Sequence, residues 1–111
     1  MELVETSYFT KYITTLLGDE EYRQFQLQLA ADPSSGTLIR GGGGIRKIRL
    51  ALPGRGKSGG ARVIYYWAVR DNVILLLYAY AKNEAADLTP KQAAQLAKAV
   101  KEEFGNESAK F

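Results

Sequence analysis

A run of positively charged residues with no negative one lies in the middle of the chain. Positions 41 to 70 hold seven basic residues and no Asp or Glu, whereas the rest of the 111-residue sequence holds eight basic and twelve acidic residues. Guanidinium and ammonium groups bind phosphate oxygens, so this pattern favours a polyanion, above all nucleic acid, as the partner. The alternative is a solvated cationic face that keeps the protein in solution. The seven residues are Arg46, Lys47, Arg49, Arg55, Lys57, Arg62 and Arg70.

The composition excludes several other kinds of chemistry. Without Cys there is no disulfide and no thiolate metal site, and without His there is no Ser–His nucleophile and no imidazole ligand. The carboxylates are too scattered for a bound metal, so we expect no metal and no cofactor. No apolar segment approaches the roughly 20 residues of a membrane span, and the first strand-like segment begins at Leu3, too early for a signal peptide. We therefore expect a cytoplasmic protein with no membrane partner.

One segment partly matches the sequence pattern of a nucleotide-binding loop. Residues 51–58, Ala-Leu-Pro-Gly-Arg-Gly-Lys-Ser, fit a relaxed form of the phosphate-loop pattern. Such a loop needs a helix directly after its Lys-Ser pair, because the amino end of the helix supplies the field that holds the phosphate. Here a segment rich in β-branched and aromatic residues follows, which predicts a strand. The pattern therefore favours a hairpin loop over a nucleotide-hydrolysing site.

Three predicted strands determine which of the cations lie together. Alternation and β-branched residues predict strands at Ile45–Ala51, Ala61–Val69 and Val73–Ala81, joined by short links as an antiparallel meander. We expect their polar ends to converge. Cations bind phosphate and a ring stacks on an unpaired base, an arrangement that suits RNA. The residues expected to meet are Lys47, Arg49, Lys57, Arg62, Tyr80 and Lys82.

The alternation also assigns individual side chains to faces of the strands. On the last strand, it places Tyr78 and Tyr80 on the same face as Leu76. We expect Tyr78 to pack beneath a helix and Tyr80 to act in the site. Arg46 has a structural alternative as the ion-pair partner of one of the helices.

A helical hairpin is predicted before the meander. A short first strand at Leu3–Glu5 is followed by apolar residues at helical spacing, with Thr6 or the next Ser as the cap and Gly18 as the end. A second helix, capped by Asp19, runs to a Pro- and Gly-containing break.

A third helix is predicted after the meander. It begins at Thr89, with Gln92 as the capping-box partner, and ends at Gly105, so that about 105–111 fray. The order strand, helix, helix, three strands, helix, without a linker, predicts a single α+β domain over residues 1–111.

Three segments together resemble one known family. They read Ile-Arg-Lys-Ile-Arg at 45–49, Gly-Lys-Ser-Gly-Gly-Ala-Arg-Val-Ile-Tyr-Tyr at 56–66, and Tyr-Ala-Lys-Asn-Glu at 80–84 with Asp-Leu-Thr at 87–89. This combination is similar to the RelE-like toxins of bacterial toxin–antitoxin systems, and in detail to their HigB-type branch. The resemblance implies a RelE-like single domain, in which an N-terminal strand and a helical hairpin pack on an antiparallel β-meander with a C-terminal helix.

The resemblance also implies a function. It is that of an mRNA interferase, a metal-independent endoribonuclease that cuts mRNA in the ribosomal A site and inhibits translation. A cognate antitoxin, in this branch a helix-turn-helix protein of the HigA type, neutralises it. The family's cationic residues carry over onto Lys57, Arg62 and Lys82, and its aromatic one onto Tyr80. The alternatives are a gyrase-inhibiting member of the same superfamily, which cleaves nothing, and a non-catalytic RNA-binding module.

These residues can divide the work of RNA cleavage without a histidine. RNA holds its own nucleophile, the 2′-OH, which must be aligned and must lose its proton. We expect Lys57 or Lys82 to accept that proton, Arg62 to hold the phosphate, and Tyr80 to stack on or orient a base. The other cations are expected to bind mRNA and the 16S rRNA of the ribosome, namely Arg46, Lys47, Arg49 and Arg55.

Overall fold

A sheet with helices on both faces makes up the fold. The structure, a computed structural model, describes the backbone of residues 1–52, 56–82 and 88–108, and the side chains of 1–51, 60–82 and 88–102. Along the chain the elements are β1 (Glu2–Glu5), α1 (Ser7–Leu16), α2 (Asp19–Ala31), β2 (Thr37–Leu38), β3 (Ile45–Leu52), β4 (Gly56–Ala68), β5 (Val73–Ala81) and α3 (Pro90–Ser108). The spatial order of the described strands is β1-β5-β4-β3-β2.

The predicted meander forms the centre of the sheet. β3 pairs antiparallel with β4, and β4 pairs antiparallel with β5, as the short links between them predict. The edges go beyond the prediction, because β1 pairs parallel with β5 and β2 adds two residues beside β3. β4 also begins at Gly56, earlier than the predicted Ala61. Its glycine-rich start, expected to be a loop, is extended because Gly56 pairs with Leu52 of β3.

Capping interactions define where the first two helices begin. Thr6 caps α1 as predicted, since its Oγ1 accepts a hydrogen bond from the Phe9 amide at 3.1 Å. The predicted cap of α2 is wrong, because Gly18 occupies the cap position and Asp19 is the first helical residue. The Gly18 amide donates to Glu21 Oε1 at 3.0 Å. The helix dipole stabilises acidic side chains in a first turn, which accounts for Asp19 without a capping role.

The last helix begins with the predicted capping box and runs further than predicted. The Gln92 amide donates to Thr89 Oγ1 at 3.1 Å, and the Thr89 amide donates to Gln92 Oε1 at 3.0 Å. The helix passes Gly105, its predicted end, and reaches Ser108, while residues 109–111 lie outside the described residues. A single Gly costs a helix only about 1 kcal/mol relative to Ala, so it does not end a helix by itself.

The sheet separates two hydrophobic clusters, which define its two faces. On the hairpin face, α1 and α2 pack against alternate residues of β4 and β5, and on the α3 face the third helix packs against the others. Trp67 packs at the margin of the hairpin-face cluster. Its members include Phe9, Ile13, Phe25, Leu29, Val63, Tyr65 and Leu76, whereas those of the α3 face include Ile45, Ile64, Tyr66, Leu75, Leu77 and Val100.

Candidate functional site

A β-bulge at Leu77 interrupts the alternation of β5. Ile64 of β4 pairs with Tyr78, but the next residue of β4, Tyr65, pairs with Leu76, so Leu77 is skipped in the register. Leu76 therefore lies on the hairpin face, whereas Leu77 and Tyr78 both lie on the α3 face. The prediction that Tyr78 shares a face with Leu76 is wrong, because strict alternation fails at a bulge.

The bulge is held by the beginning of α1. Thr6 Oγ1 donates to the Leu77 carbonyl at 2.8 Å, and the Thr6 amide donates to the Leu76 carbonyl at 3.0 Å. The same Oγ1 accepts the capping bond from Phe9, so one hydroxyl both starts α1 and satisfies the bulge. A buried carbonyl without such a partner would cost about 1–3 kcal/mol. Thr6 is thus a residue that positions the site, and its reading from sequence as a cap alone was incomplete.

The bulge brings three site residues into one row across the sheet. Arg49 of β3 pairs directly with Arg62 of β4, and Arg62 pairs directly with Tyr80 of β5. Directly paired residues share a face, and their Cβ atoms lie about 4.5–5.5 Å apart. We call Arg49, Arg62 and Tyr80 the cross-strand row. The row thus places two positive charges directly opposite each other, an arrangement that by itself destabilises a sheet.

Burial differs sharply along the cross-strand row. Arg62 is only 4% exposed and Tyr80 only 5%, whereas Arg49 is exposed. Arg62 Nη1 donates to the carbonyl of Ala61 at 3.1 Å. A charge surrounded by protein acts through a lower dielectric constant than an exposed one, so the field of Arg62 is strong at short range. The row therefore combines one exposed guanidinium with a second, buried arginine beside it on the same face.

Aromatic contacts fix the end of the row on β5. The Tyr80 ring lies 5.9 Å from the Tyr78 ring at an angle of 30°. Tyr78 in turn meets Tyr12 of α1 edge to face, with 5.4 Å between the ring centroids. Tyr78 also packs against the α3-face cluster, in agreement with its predicted packing role.

Two of the predicted lysines flank the row. Lys82 follows the last residue of β5 and is exposed, and its amide donates to the Gly60 carbonyl at 3.0 Å. Lys47 lies on the α3 face of β3, opposite Ile64, and is half-buried. The side chain of Lys57 and the whole of Arg55 lie outside the described residues.

Arg46 lies apart from the row, on the hairpin face opposite Tyr65. Its Nη1 donates to the Ser34 carbonyl at 3.2 Å and to the Gly36 carbonyl at 2.8 Å. The Tyr65 hydroxyl donates to the Pro33 carbonyl at 2.6 Å and accepts from the Gly36 amide at 2.9 Å. Together they tie the turn after α2 to the sheet. The structural alternative for Arg46 thus has a physical basis, with carbonyl acceptors in place of the expected ion pair.

The described residues contain no group of three or more acidic side chains that lie close enough to hold a metal ion. Within the same ranges no helix is both long and apolar enough to cross a bilayer.

Comparison with known proteins identifies the family. The family model described as the RelE toxin of the RelE/RelB toxin–antitoxin system matches residues 5–111. The chain therefore belongs to the RelE toxin family. Among solved structures, it is similar to a chain of the crystal structure of the intact E. coli RelBE toxin–antitoxin complex. That match has 20% sequence identity and a TM-score of 0.56, and it covers 72% of this chain and 94% of the other. The shared fold confirms the predicted α+β class.

Proposed function

We propose that this toxin is a ribosome-dependent mRNA endoribonuclease that inhibits translation. The observation that carries the proposal is the cross-strand row, in which Arg49 and Arg62 face each other beside Tyr80. The like-charge repulsion within the row is relieved when a phosphate binds between or above the two guanidinium groups. An aromatic ring at the end of the row suits an unpaired base, which single-stranded mRNA offers.

Cleavage in this site uses the nucleophile of the substrate. The 2′-oxygen attacks the adjacent phosphorus, the P–O5′ bond breaks, and the leaving oxygen takes up a proton. Arg49 contacts the phosphate directly and the buried Arg62 adds its charge from the neighbouring strand, so that both stabilise the negative charge that develops in the transition state. Lys82 or Lys57 accepts the proton of the 2′-OH. The low exposure of Tyr80 requires that the bound mRNA open the site before a base can stack.

The same cations and sequence segments also indicate the partners of the protein. The exposed Arg49 and the half-buried Lys47 are suited to mRNA and to the 16S rRNA that surrounds it. The sequence segments at 45–49, 56–66 and 80–84 support the HigB-type branch, and with it a helix-turn-helix antitoxin of the HigA type. A toxin that acts on ribosomes works in the cytoplasm, as the sequence predicts.

The deciding experiment compares three substrates. Purified toxin is incubated with ribosomes programmed with a defined mRNA, with the same mRNA free in solution, and with gyrase and plasmid DNA. We expect mRNA cleavage on the ribosome, little cleavage of free RNA and no loss of supercoiling. Intact mRNA on the ribosome together with inhibited gyrase would support the gyrase-inhibiting alternative. Tight ribosome binding without cleavage would support the non-catalytic RNA-binding module.

A variant of Arg62 tests the assignment of the site. Arg62→Ala is expected to lower the cleavage rate while ribosome binding stays close to that of the wild type, because binding is spread over several other cations. A thermal melt is the control, since Arg62 is buried and its loss can also unfold the protein. Full cleavage by a well-folded Arg62→Ala protein would show that the row is not the active site.

A further inference from the structure

A small cavity lies at the β2–β3 edge of the sheet. Its volume is about 240 Å³, and it is lined by Thr37, Leu38, Ile39, Arg40, Lys47 and Leu88. Two of these six residues are cations, one carries a hydroxyl, and none of the six is acidic. Since a water molecule occupies about 30 Å³ in the liquid, the cavity has room for a phosphate group and several waters. Its lining has the charge and the donors that an anion needs.

The backbone holds Arg40 at this cavity. The Ile39 amide donates to the Ile45 carbonyl, and the Gly42 amide donates to the Ile39 carbonyl, both at 3.0 Å. Gly41 has a φ of +72°, a conformation that other residues rarely adopt, and it closes the turn directly after Arg40. Arg40 itself is exposed. Within residues 1–52, 56–82 and 88–108, nothing gives its guanidinium a hydrogen bond or an ion pair. The fold therefore presents a charge that no structural contact of the described chain uses.

Lys47 connects the cavity to the cross-strand row. It lies on the α3 face of β3, two residues before Arg49. Two residues of an extended strand span about 6.7 Å, which is close to the separation of neighbouring phosphates in single-stranded RNA. An RNA strand with its scissile phosphate at Arg49 and Arg62 can thus bring the next phosphate to Lys47 and the cavity.

We infer that this cavity is a phosphate subsite, in which Arg40 and Lys47, with the Thr37 hydroxyl, hold the mRNA phosphate next to the scissile one. The inference rests on the proposed function, because it requires an RNA strand at the row. Arg40 is a positioning residue, which contacts no reacting atom and sets the register of the strand over Arg49 and Arg62. It lies outside the basic run of 41–70, so the charge pattern of the sequence does not point to it.

The test removes either the negative charge of the mRNA phosphate or the positive charge of Arg40. Defined mRNAs carry a neutral methylphosphonate in place of the phosphate on one or the other side of the scissile one. The ribose on the 5′ side of that linkage is 2′-O-methylated for stability, and a control mRNA carries the methylation alone. Single-turnover cleavage on programmed ribosomes is measured below saturation for the wild type, Arg40→Gln and Arg40→Lys. Arg23→Gln, an exposed arginine of α2, is the matched control for the loss of one positive charge.

A hydrogen-bonded charge contact at the cavity predicts a specific pattern of rates. One of the two methylphosphonates is expected to slow the wild type and Arg23→Gln by about tenfold. Arg40→Gln is expected to be about tenfold slower than the wild type on the control mRNA. Its cleavage rate should fall little further on that methylphosphonate mRNA, because the substitution has already removed the contact that the methylphosphonate removes. Arg40→Lys is expected to recover part of the rate on the control mRNA.

Three outcomes would overturn the inference, and they differ in whether they also overturn the proposed function. Equal cleavage by Arg40→Gln and the wild type would show that the cavity binds no phosphate of the mRNA. Additive losses at both neighbouring phosphates would show that Arg40 contacts something else, such as rRNA. Each of these two results leaves the proposed function intact. A wild-type protein that does not cleave the unmodified mRNA on the ribosome would remove the proposed function and the subsite with it.

Discussion

Replacing Arg49 by Gln is expected to make the toxin more stable and less active at the same time. Arg49 lies directly opposite Arg62. No described residue gives the Arg49 side chain an ion pair or a hydrogen bond. Arg49→Gln removes the repulsion between two like charges and keeps a polar side chain at an exposed position. It also removes the exposed guanidinium that is proposed to contact the scissile phosphate.

The size of the stability gain follows from the pairing. Like charges directly opposite each other in a sheet cost about 0.2–1 kcal/mol. Unfolding a chain of this length carries an entropy of about 0.23 kcal/mol per kelvin, so the melting temperature should rise by about 1–4 °C. The loss of a hydrogen bond to a charged phosphate should lower the cleavage rate on the ribosome by about tenfold. A gain in stability combined with a loss of activity is typical of a residue kept for function.

The assay pairs thermal melts with ribosome-dependent cleavage. Melts of the wild type and Arg49→Gln are recorded in about 0.01 M and about 1 M salt, where the Debye length falls from about 30 Å to about 3 Å. The gain in melting temperature should shrink at high salt, because the repulsion is screened. Arg23→Gln makes the same change on α2, within one to two helical turns of the acidic Asp19 and Glu20. It should show no gain, because its neighbours are of opposite charge.

Two results would refute this reasoning. A melting temperature that falls in Arg49→Gln at both salt concentrations would mean that Arg49 stabilises the sheet, so the row would hold no repulsion for an anion to relieve. Unchanged cleavage by a folded Arg49→Gln protein would mean that the exposed guanidinium does not contact the substrate.

Three further predictions concern the parts that surround the row. Tyr80→Phe is expected to remain active in the ribosome assay, because the ring alone supports stacking, which is worth about 1–3 kcal/mol per base; a loss of activity in a folded Tyr80→Phe protein would indicate a role of the hydroxyl. Tyr80→Ala is expected to lose activity and also to melt at a lower temperature, because Tyr80 is buried in the α3-face cluster. Thr6→Val should lower the free energy of unfolding by about 2 kcal/mol or more, because the Phe9 amide and the Leu77 carbonyl both lose their hydrogen-bond partner. Thr14→Val breaks only bonds within α1 and should cost far less in the same denaturation experiment. Burial raises the pKa of Tyr65 above its ordinary value. Its contribution to stability is therefore present below about pH 10, the ordinary tyrosine value, and is lost as the pH rises further. Above about pH 10 the stability of Tyr65→Phe should fall less steeply than that of the wild type, and parallel curves would contradict the assignment.

Much of the framework is encoded locally and could be predicted from the sequence. The β-branched and aromatic residues of β4 predict a strand, and its alternation places Arg62 on the face opposite Tyr65, as the structure has it. Thr89 and Gln92 predict the start of α3, because a capping box involves only residues three apart. Such signals are reliable because the interacting groups are neighbours along the chain.

The register of β5 could not be predicted in this way. Residues 74–78 read Ile-Leu-Leu-Leu-Tyr, in which every side chain suits a buried face, so alternation contains no information about which face each one takes. The bulge depends on Thr6, which reaches the Leu77 carbonyl from 71 positions away in the sequence. That contact determines that Tyr80 joins Arg62 and does not lie under the helical hairpin.

The charge pattern by itself predicted a polyanion partner for the middle of this chain, since seven cations without an acid are a property of composition. Only the tertiary structure decided how those cations are divided. Strand pairing placed Arg46 on the hairpin face with carbonyl partners, set Arg49 against Arg62, and brought Arg40 from outside the basic run to a cavity beside Lys47. The physical reason is that composition records how many charges a chain has, whereas pairing across strands determines which of them share a face and how deeply each is buried.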